Sequence, residues 1–477
     1  MYLPVLLRKL HLPLLFCSFA HGYLFDDQHL FEAPDFILRD SLGPMYTINY
    51  ENVPYQGRMG MVQAHYSLPH NASGPVPAMV LVHGATCNAD SGWVKHWVDR
   101  GYAAIAMDLN GRHVSYGRYW DAENWDAGEE MNYKDTWYYY ATAAVMRANS
   151  FLRSRPEIDT TRIGVIGISW GGWLTSIVAG ADTRFDLAIP VYGCGFIHEN
   201  SKWITPDPIT SPSYINIFDP KNHLPQATMP MLWVSGTTDC CYPADSRRKS
   251  YALTKGEYCL AERINYGHYC TQPYSHETIY AFVNSHFKSE DKLPKFTRWG
   301  WTQDSLWTEY ETTRALKKAE LIYATNADWS SWKQMGWSDK GAVIDTLHTR
   351  ISAALPSNAT VVFFVVYDEH DREVSTPHID FSVDPPAGIR TYNRPLPVTI
   401  SKQQTVPEGT PHHGVPSILF IPSNGIRQPS HRLIRIWRSD GAFIGQMQAG
   451  EVLNSAQLPK GIYVYRPVDK QAQSSVR

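Results

Sequence analysis

One serine, one aspartate and one histidine in this chain stand where acyl-transfer chemistry would need them. The pentapeptide Gly167-Ile168-Ser169-Trp170-Gly171 follows the apolar run 163–166 and leads into a helix-compatible stretch. A serine on such a strand-to-helix turn has its hydroxyl lifted clear of the sheet, and small neighbours leave room for the strained backbone. A hydroxyl near neutral pH is a poor nucleophile; it needs a base, and the base needs an acid to orient it. With this turn the chain order is serine, then acid, then histidine. Residues 231–235 read as a strand and Gly236-Thr237-Thr238-Asp239 as the loop after it, which puts Asp239 at the edge where open α/β sheets bind ligands. Asp245 is the rival acid, but it falls on the helix that follows. Tyr266-Gly267-His268 comes after the last strand, and that loop can return an imidazole over Ser169, whereas His276 and His286 lie on the closing helix. Ser169, Asp239 and His268 are thus expected as nucleophile, acid and base.

The anionic intermediate of acyl transfer requires two donors. The backbone N–H of Trp170 is the first expected one, and the loop His83-Gly84-Ala85-Thr86 supplies the second, with Ala85 preferred to Thr86. The His83 ring is expected to be structural. Residues 116–140 are crowded with aromatic side chains, among them Tyr119, Trp120, Trp125, Trp137 and Tyr138. They suit either a sugar-stacking rim or the space between helix and sheet; Trp120 and Trp125 are taken as candidate substrate contacts.

The elements that must hold these residues alternate. Apolar strand-like runs at 78–82, 102–107, 163–166, 187–191, 231–235 and 259–264 are separated by helical stretches, notably 135–154 and 276–287. That alternation predicts an α/β fold, a doubly wound and mostly parallel sheet covered on both faces. Beyond about residue 300 short runs at 320–325, 351–355 and 360–367 with turn residues between them predict a β-sandwich. After a Pro-rich stretch at 384–397, runs at 433–437, 445–447 and 461–465 predict a last β module, with Ser439-Asp440-Gly441 as a hairpin turn. The expected division is a signal peptide at 1–20, an N-terminal segment at 21–45, a catalytic domain at 46–295, a β-sandwich at 300–385 and a C-terminal β domain at 390–477.

Composition narrows the function classes. The formal charge of -3, from 43 Lys+Arg and 46 Asp+Glu, leaves no electrostatic footprint for a nucleic acid. Arg8 and Lys9, the apolar stretch 10–16 and the small residues near Ala20 resemble an export signal, too short to span a bilayer. No other segment is apolar enough to span one. Of seven Cys, Cys17 falls in that signal; Cys87, Cys194, Cys240, Cys241, Cys259 and Cys270 remain, an even number that permits disulfides whose pairing the sequence does not decide. Their spacing fits no zinc pattern. Sequons stand at Asn71 and Asn358.

Residues 45–290 resemble the dienelactone-hydrolase and acetylxylan-esterase branch of the α/β-hydrolases, which borders the prolyl oligopeptidase catalytic domains. The likeness is carried by the run from Arg162 to Gly172, by Pro190-Val191-Tyr192-Gly193-Cys194-Gly195-Phe196 and by Tyr242-Pro243 after the acid. It implies an acyl-enzyme mechanism without metal or cofactor, and it adds Tyr192 to the candidate substrate contacts. Two departures stand beside the triad: Cys240-Cys241 where apolar or aromatic residues are usual, and Tyr266 where relatives often carry a histidine. The stretches 433–437 and 456–464 resemble sorting modules of type IX secretion, which would imply a Gram-negative host and a periplasmic, surface or released protein. The expectation is a secreted serine esterase that removes small acyl groups, acetyl first, from plant-type polysaccharides. A peptidase of prolyl-oligopeptidase type and an inactive carbohydrate-binding protein are the alternatives. The oligomeric state is left open.

Overall fold

The computed structural model describes residues 24–391, apart from 56–57, 71, 86, 110–132, 202–213, 269–275 and 327–335, together with strands between 426 and 468. Three strands, β1 (Phe36–Leu42), β2 (Met45–Tyr55) and β3 (Arg58–Ser67), form an antiparallel meander. The sheet therefore starts upstream of residue 46, because β1 pairs along the first half of β2. β4 (Val76–Val82) and β5 (Ala103–Met107) follow, with helix α1 (Ser91–Val98) between them. Helix α2 (Trp137–Arg153) leads to β6 (Ile158–Ile168), α3 (Trp170–Ala181) and β7 (Leu187–Val191). A single turn of helix, α4 (Ile197–Asn200), precedes β8 (Met231–Gly236), α5 (Ala244–Leu253), β9 (Tyr258–Arg263) and α6 (Glu277–Phe287).

Strand order in the sheet runs β1-β2-β3-β5-β4-β6-β7-β8-β9, and the neighbours from β5 to β9 are parallel. β4, β5 and β7 are buried on both faces, as their continuous apolar sequences anticipated. The connection β4–α1–β5 steps toward β3, whereas β6–α3–β7 steps the other way. Right-handed crossovers then require α1 and α3 to lie on opposite faces. The contacts agree: α1 meets α6 through Trp97 and Tyr280, at 5.0 Å between ring centroids, and α2 meets α3 through Tyr138 and Trp173, at 5.3 Å. Because the winding reverses between β4 and β6, their carboxyl ends frame the crevice in which such sheets bind ligands.

Helix α2 shows how local chemistry and burial cooperate. Its cap is Thr136, whose hydroxyl accepts from the Tyr139 amide at 3.3 Å. Every residue from Trp137 to Leu152 is buried, and Trp137 and Tyr138 are packing residues, set against Trp170 and Trp173 of α3.

Past α6 the described elements are all strands. Strands β10 (Lys295–Trp301), β11 (Ser305–Glu311), β12 (Leu316–Ala324), β13 (Trp337–Gly341), β14 (Val343–Asp345), β15 (Arg350–Ala354), β16 (Val361–Asp368), β17 (Glu373–Ser375), β18 (Ile379–Asp380) and β19 (Gly388–Thr391) divide between two sheets. One, ordered β14-β15-β11-β10-β19, is antiparallel throughout. The others continue the large sheet, through the pairing of Ser375 in β17 with Leu260 in β9. Trp337 is buried edge-on against Phe363, 5.9 Å away, and so belongs to the core. Near the C-terminus Leu433–Arg438 pairs antiparallel with both Phe443–Met447 and Tyr463–Val468. The Ser439–Gly441 turn and the N-terminal stretch 1–20 fall outside the described residues. None of the described helices is long and apolar enough to cross a membrane.

Candidate active site

The turn at Ser169 is built from backbone contacts that exclude side chains. Ser169 caps α3 directly after β6 with φ +58° and ψ −119°, a left-handed conformation that costs a non-glycine residue about 1–3 kcal/mol. Its position is over-determined: its amide donates to the Val191 carbonyl at 2.9 Å, and its carbonyl accepts from the Trp173 amide at 2.9 Å. Gly171 lets α3 descend onto β4, since a Cβ there would lie 2.0 Å from the Val82 carbonyl oxygen. Gly84 lets the β4 loop close on the serine; a Cβ there would be 3.2 Å from Ser169 Cβ and 3.8 Å from its Oγ.

Three expected residues come together at this turn. His268 Nε2 stands 2.8 Å from Ser169 Oγ, and its Nδ1 lies 3.2 and 3.3 Å from the two carboxylate oxygens of Asp239. Asp239 is 2% exposed, and its Oδ1 also accepts from the amides of Cys241 (2.9 Å) and Tyr242 (3.0 Å). Burial disfavours the imidazolium, but the hydrogen bond and charge of Asp239 outweigh it, so His268 titrates above the usual histidine range. The Tyr192 ring lies 5.1 Å from the imidazole and the Tyr242 ring 5.8 Å from it, forming two aromatic walls beside it. The rival acid faces elsewhere: Asp245, on α5, accepts from Asn200 Nδ2 at 2.5 Å.

The expected oxyanion donors flank the serine. Trp170 is the first residue of α3, wedged edge-on between Trp137 (6.0 Å) and Trp173 (5.4 Å). Ala85 follows Gly84 on the loop that touches Ser169; Thr86 lies outside the described residues. His83 fixes that loop. Its Nε2 accepts from the Leu109 amide at 2.9 Å, so Nδ1 carries the proton given to the Gly84 carbonyl at 2.6 Å. A third link comes from Trp137, whose indole donates to the Leu109 carbonyl at 3.0 Å.

Among the expected substrate contacts, Trp120 and Trp125 lie outside the described residues. Tyr192 is 2% exposed and packs between Tyr266, 5.9 Å away, and His268, so it borders the imidazole from within the protein.

Sequence reading missed the support beneath Asp239. Arg247, on α5 and 3% exposed, donates to the carbonyls of Gly236 and Tyr242, the two ends of the loop that carries Asp239, and pairs with buried Glu262 of β9. Burial opposes its charge, yet the carboxylates of Glu262 and Asp239 hold it protonated. Only the helical phase of α5 and the closeness of β9 reveal this, and neither leaves a mark in the sequence.

Residues 62–257 match the model of the dienelactone hydrolase family, and residues 209–329 match that of the PhoPQ-activated pathogenicity-related protein family. Ser169 and Asp239 fall within the first match and His268 within the second. Among solved structures the chain is similar to an acetyl xylan esterase from Paenibacillus sp. R4, at 21% identity over 53% of this chain and 88% of that one, with a TM-score of 0.44. It is also similar to acetyl xylan esterase 1 from Thermoanaerobacterium sp. JW/SL YS485 (17% identity, 55% and 92% coverage, TM-score 0.44). An acylaminoacyl peptidase from Pyrococcus horikoshii is a third (17% identity, 52% and 42% coverage, TM-score 0.42). The resemblance to the dienelactone-hydrolase branch of the α/β-hydrolases, read from the sequence, stands.

Proposed function

We propose that this protein is a serine esterase that removes small acyl groups, acetyl first, from plant-type polysaccharides. The observation that carries the reading is the continuous relay from Ser169 Oγ through both nitrogens of His268 to buried Asp239. With Nδ1–H held by the carboxylate, Nε2 is the free basic lone pair, and it takes the serine proton as Oγ attacks the ester carbonyl. The tetrahedral oxyanion is received by the amides of Trp170 and Ala85. His268 then gives its proton to the leaving sugar oxygen, and the acyl group stays on Ser169. Water, deprotonated by the same nitrogen, releases the acid and restores the serine. Asp239 keeps its charge throughout and stabilises the imidazolium between the two proton transfers.

The sugar substrate rests on the family likeness and on the export signal expected at the N-terminus, and secretion is proposed on that same signal. The test is acetate release from acetylated xylan or pectin by the purified protein, with Ser169→Ala as control. Acetate from the native enzyme alone supports the proposal. Ser169-dependent turnover of an aryl ester or short peptide without acetate release keeps the chemistry and discards the substrate. No turnover and no labelling by a fluorophosphonate leaves a binding protein.

A further inference from the structure

Two thiols stand beside the proposed acid, and nothing in the mechanism uses them. Cys240 and Cys241 immediately follow Asp239; their Sγ atoms are 3.3 Å apart, with Cys240 half-buried and Cys241 at 2% exposure. The backbone that joins them is the backbone that holds the acid, because the Cys241 and Tyr242 amides donate to Asp239 Oδ1. Resting on the esterase reading of this site, we infer that Cys240 and Cys241 are a redox modification site, converted by a small-molecule disulfide into a vicinal disulfide that weakens the grip on Asp239.

The chemistry balances as thiol–disulfide exchange. The Cys240 thiolate attacks one sulfur of the disulfide, whose S–S bond breaks and whose other half leaves as a thiolate. Cys241, giving up its proton, then attacks Cys240 Sγ and expels the second half. Two protein thiols are oxidised and one external disulfide is reduced to two thiols. The hydrogen bond from Cys241 lowers the Cys240 titration to about 7, although burial and the Asp239 charge oppose it, which makes Cys240 the attacking thiol of the pair. Cys194 and Cys259 lack that activation: burial raises Cys194 well above its ordinary value and Cys259 to about 12.

The product would be labile. Adjacent Cα atoms are about 3.8 Å apart across a trans peptide, closer than the ~4.4–6.8 Å of ordinary disulfides. The eight-membered ring is therefore strained and easily reduced, the behaviour of a switch rather than of a structural crosslink. Ring closure must draw the two Sγ atoms from 3.3 Å to about 2.05 Å, and the peptide that joins the two residues carries one of the two amides on Asp239. Loss of one hydrogen bond to a buried carboxylate that orients the base lowers kcat/KM by about tenfold or more.

The test uses the full chain, purified in reductant and equilibrated against graded ratios of oxidised to reduced glutathione. Two readouts are followed: the mass of the peptide carrying Cys240 and Cys241, and aryl acetate hydrolysis. The expected result is the loss of two hydrogens from that peptide, in step with a fall in kcat/KM that a reductant reverses. Cys240→Ser should hold its own starting rate across the whole range. A peptide that keeps both thiols overturns the inference, as does a vicinal disulfide that leaves the rate within about twofold. If the reduced protein shows no Ser169-dependent turnover, the esterase reading fails, and the peptide mass separately decides whether the pair oxidises.

Discussion

Replacing Asp239 by Asn should disable the base without disturbing the fold, and the hydrogen bonds around the acid say why. Oδ1 accepts from two backbone amides, at 2.9 and 3.0 Å, so in the variant the carbonyl oxygen of the amide must stay there. The NH2 group then takes the place of Oδ2, 3.3 Å from His268 Nδ1 and 3.4 Å from Ser235 Oγ. Nδ1 then lies between the retained carbonyl oxygen at 3.2 Å and the new N–H donor at 3.3 Å, so the charge that fixed the Nδ1–H tautomer is gone and the ring proton is freed to move to Nε2, the atom 2.8 Å from Ser169 Oγ. That tautomer has no lone pair for the serine proton. Loss of the correct tautomer in a serine–histidine–acid relay lowers kcat on the order of 10⁴-fold, about 5.5 kcal/mol of transition-state stabilisation. The pH profile should move as well. Burial pushes His268 down while the Asp239 hydrogen bond and charge push it up further, so the native activity rises through an inflection above 6.5. With Asn the hydrogen bond and charge of Asp239, the leading upward causes, are gone and burial remains, so residual activity should rise through an inflection below 6.5. The assay is aryl acetate hydrolysis across pH 5 to 9, with unfolding followed on both proteins. An Asn variant within about tenfold of native, or one whose inflection stays above 6.5, refutes the reasoning.

Two stability predictions follow from buried charges. Arg247→Met leaves Glu262 without its partner inside the protein and releases both ends of the acid's loop, which should destabilise by roughly 3–5 kcal/mol. The double variant Arg247→Met/Glu262→Leu should regain most of that in urea unfolding while remaining slow in turnover; equal loss in both variants would place the importance of Arg247 outside the ion pair. His223, buried with its Nε2 2.8 Å from the Ile217 carbonyl, is pushed down to about 4 by burial. Its neutral form contributes stability that is full above pH 6.5 and is lost as pH falls toward 4, so moving from pH 7 to pH 5 should cost about 2 kcal/mol through this group. The same loss in His223→Gln would show that other groups carry the acid sensitivity.

The local determinants of this protein were legible in its sequence. Continuous apolar runs marked strands buried on both faces, and a pentapeptide with small residues around Ser169 marked the turn that lifts a hydroxyl. Position at the end of a strand separated Asp239 from Asp245. Such features depend on neighbours along the chain, where residue type and spacing carry the physics. Other features lay beyond that reach. Strands β12, β13, β16 and β17 share their texture with β10 and β11, yet they join the large sheet through one pairing between Ser375 and Leu260. Alternation marks a strand but not its partner. The His268–Ser169 contact spans 99 residues, the Arg247 clamp depends on helical phase, and Tyr192 and Tyr242 enclose the imidazole only once three loops converge. The sequence by itself determined which groups could react and on which kinds of element they stand. The tertiary structure alone decided their separations, their shared burial and thus the direction in which His268 is shifted, because distance and desolvation are set by segments that meet only when the chain is folded.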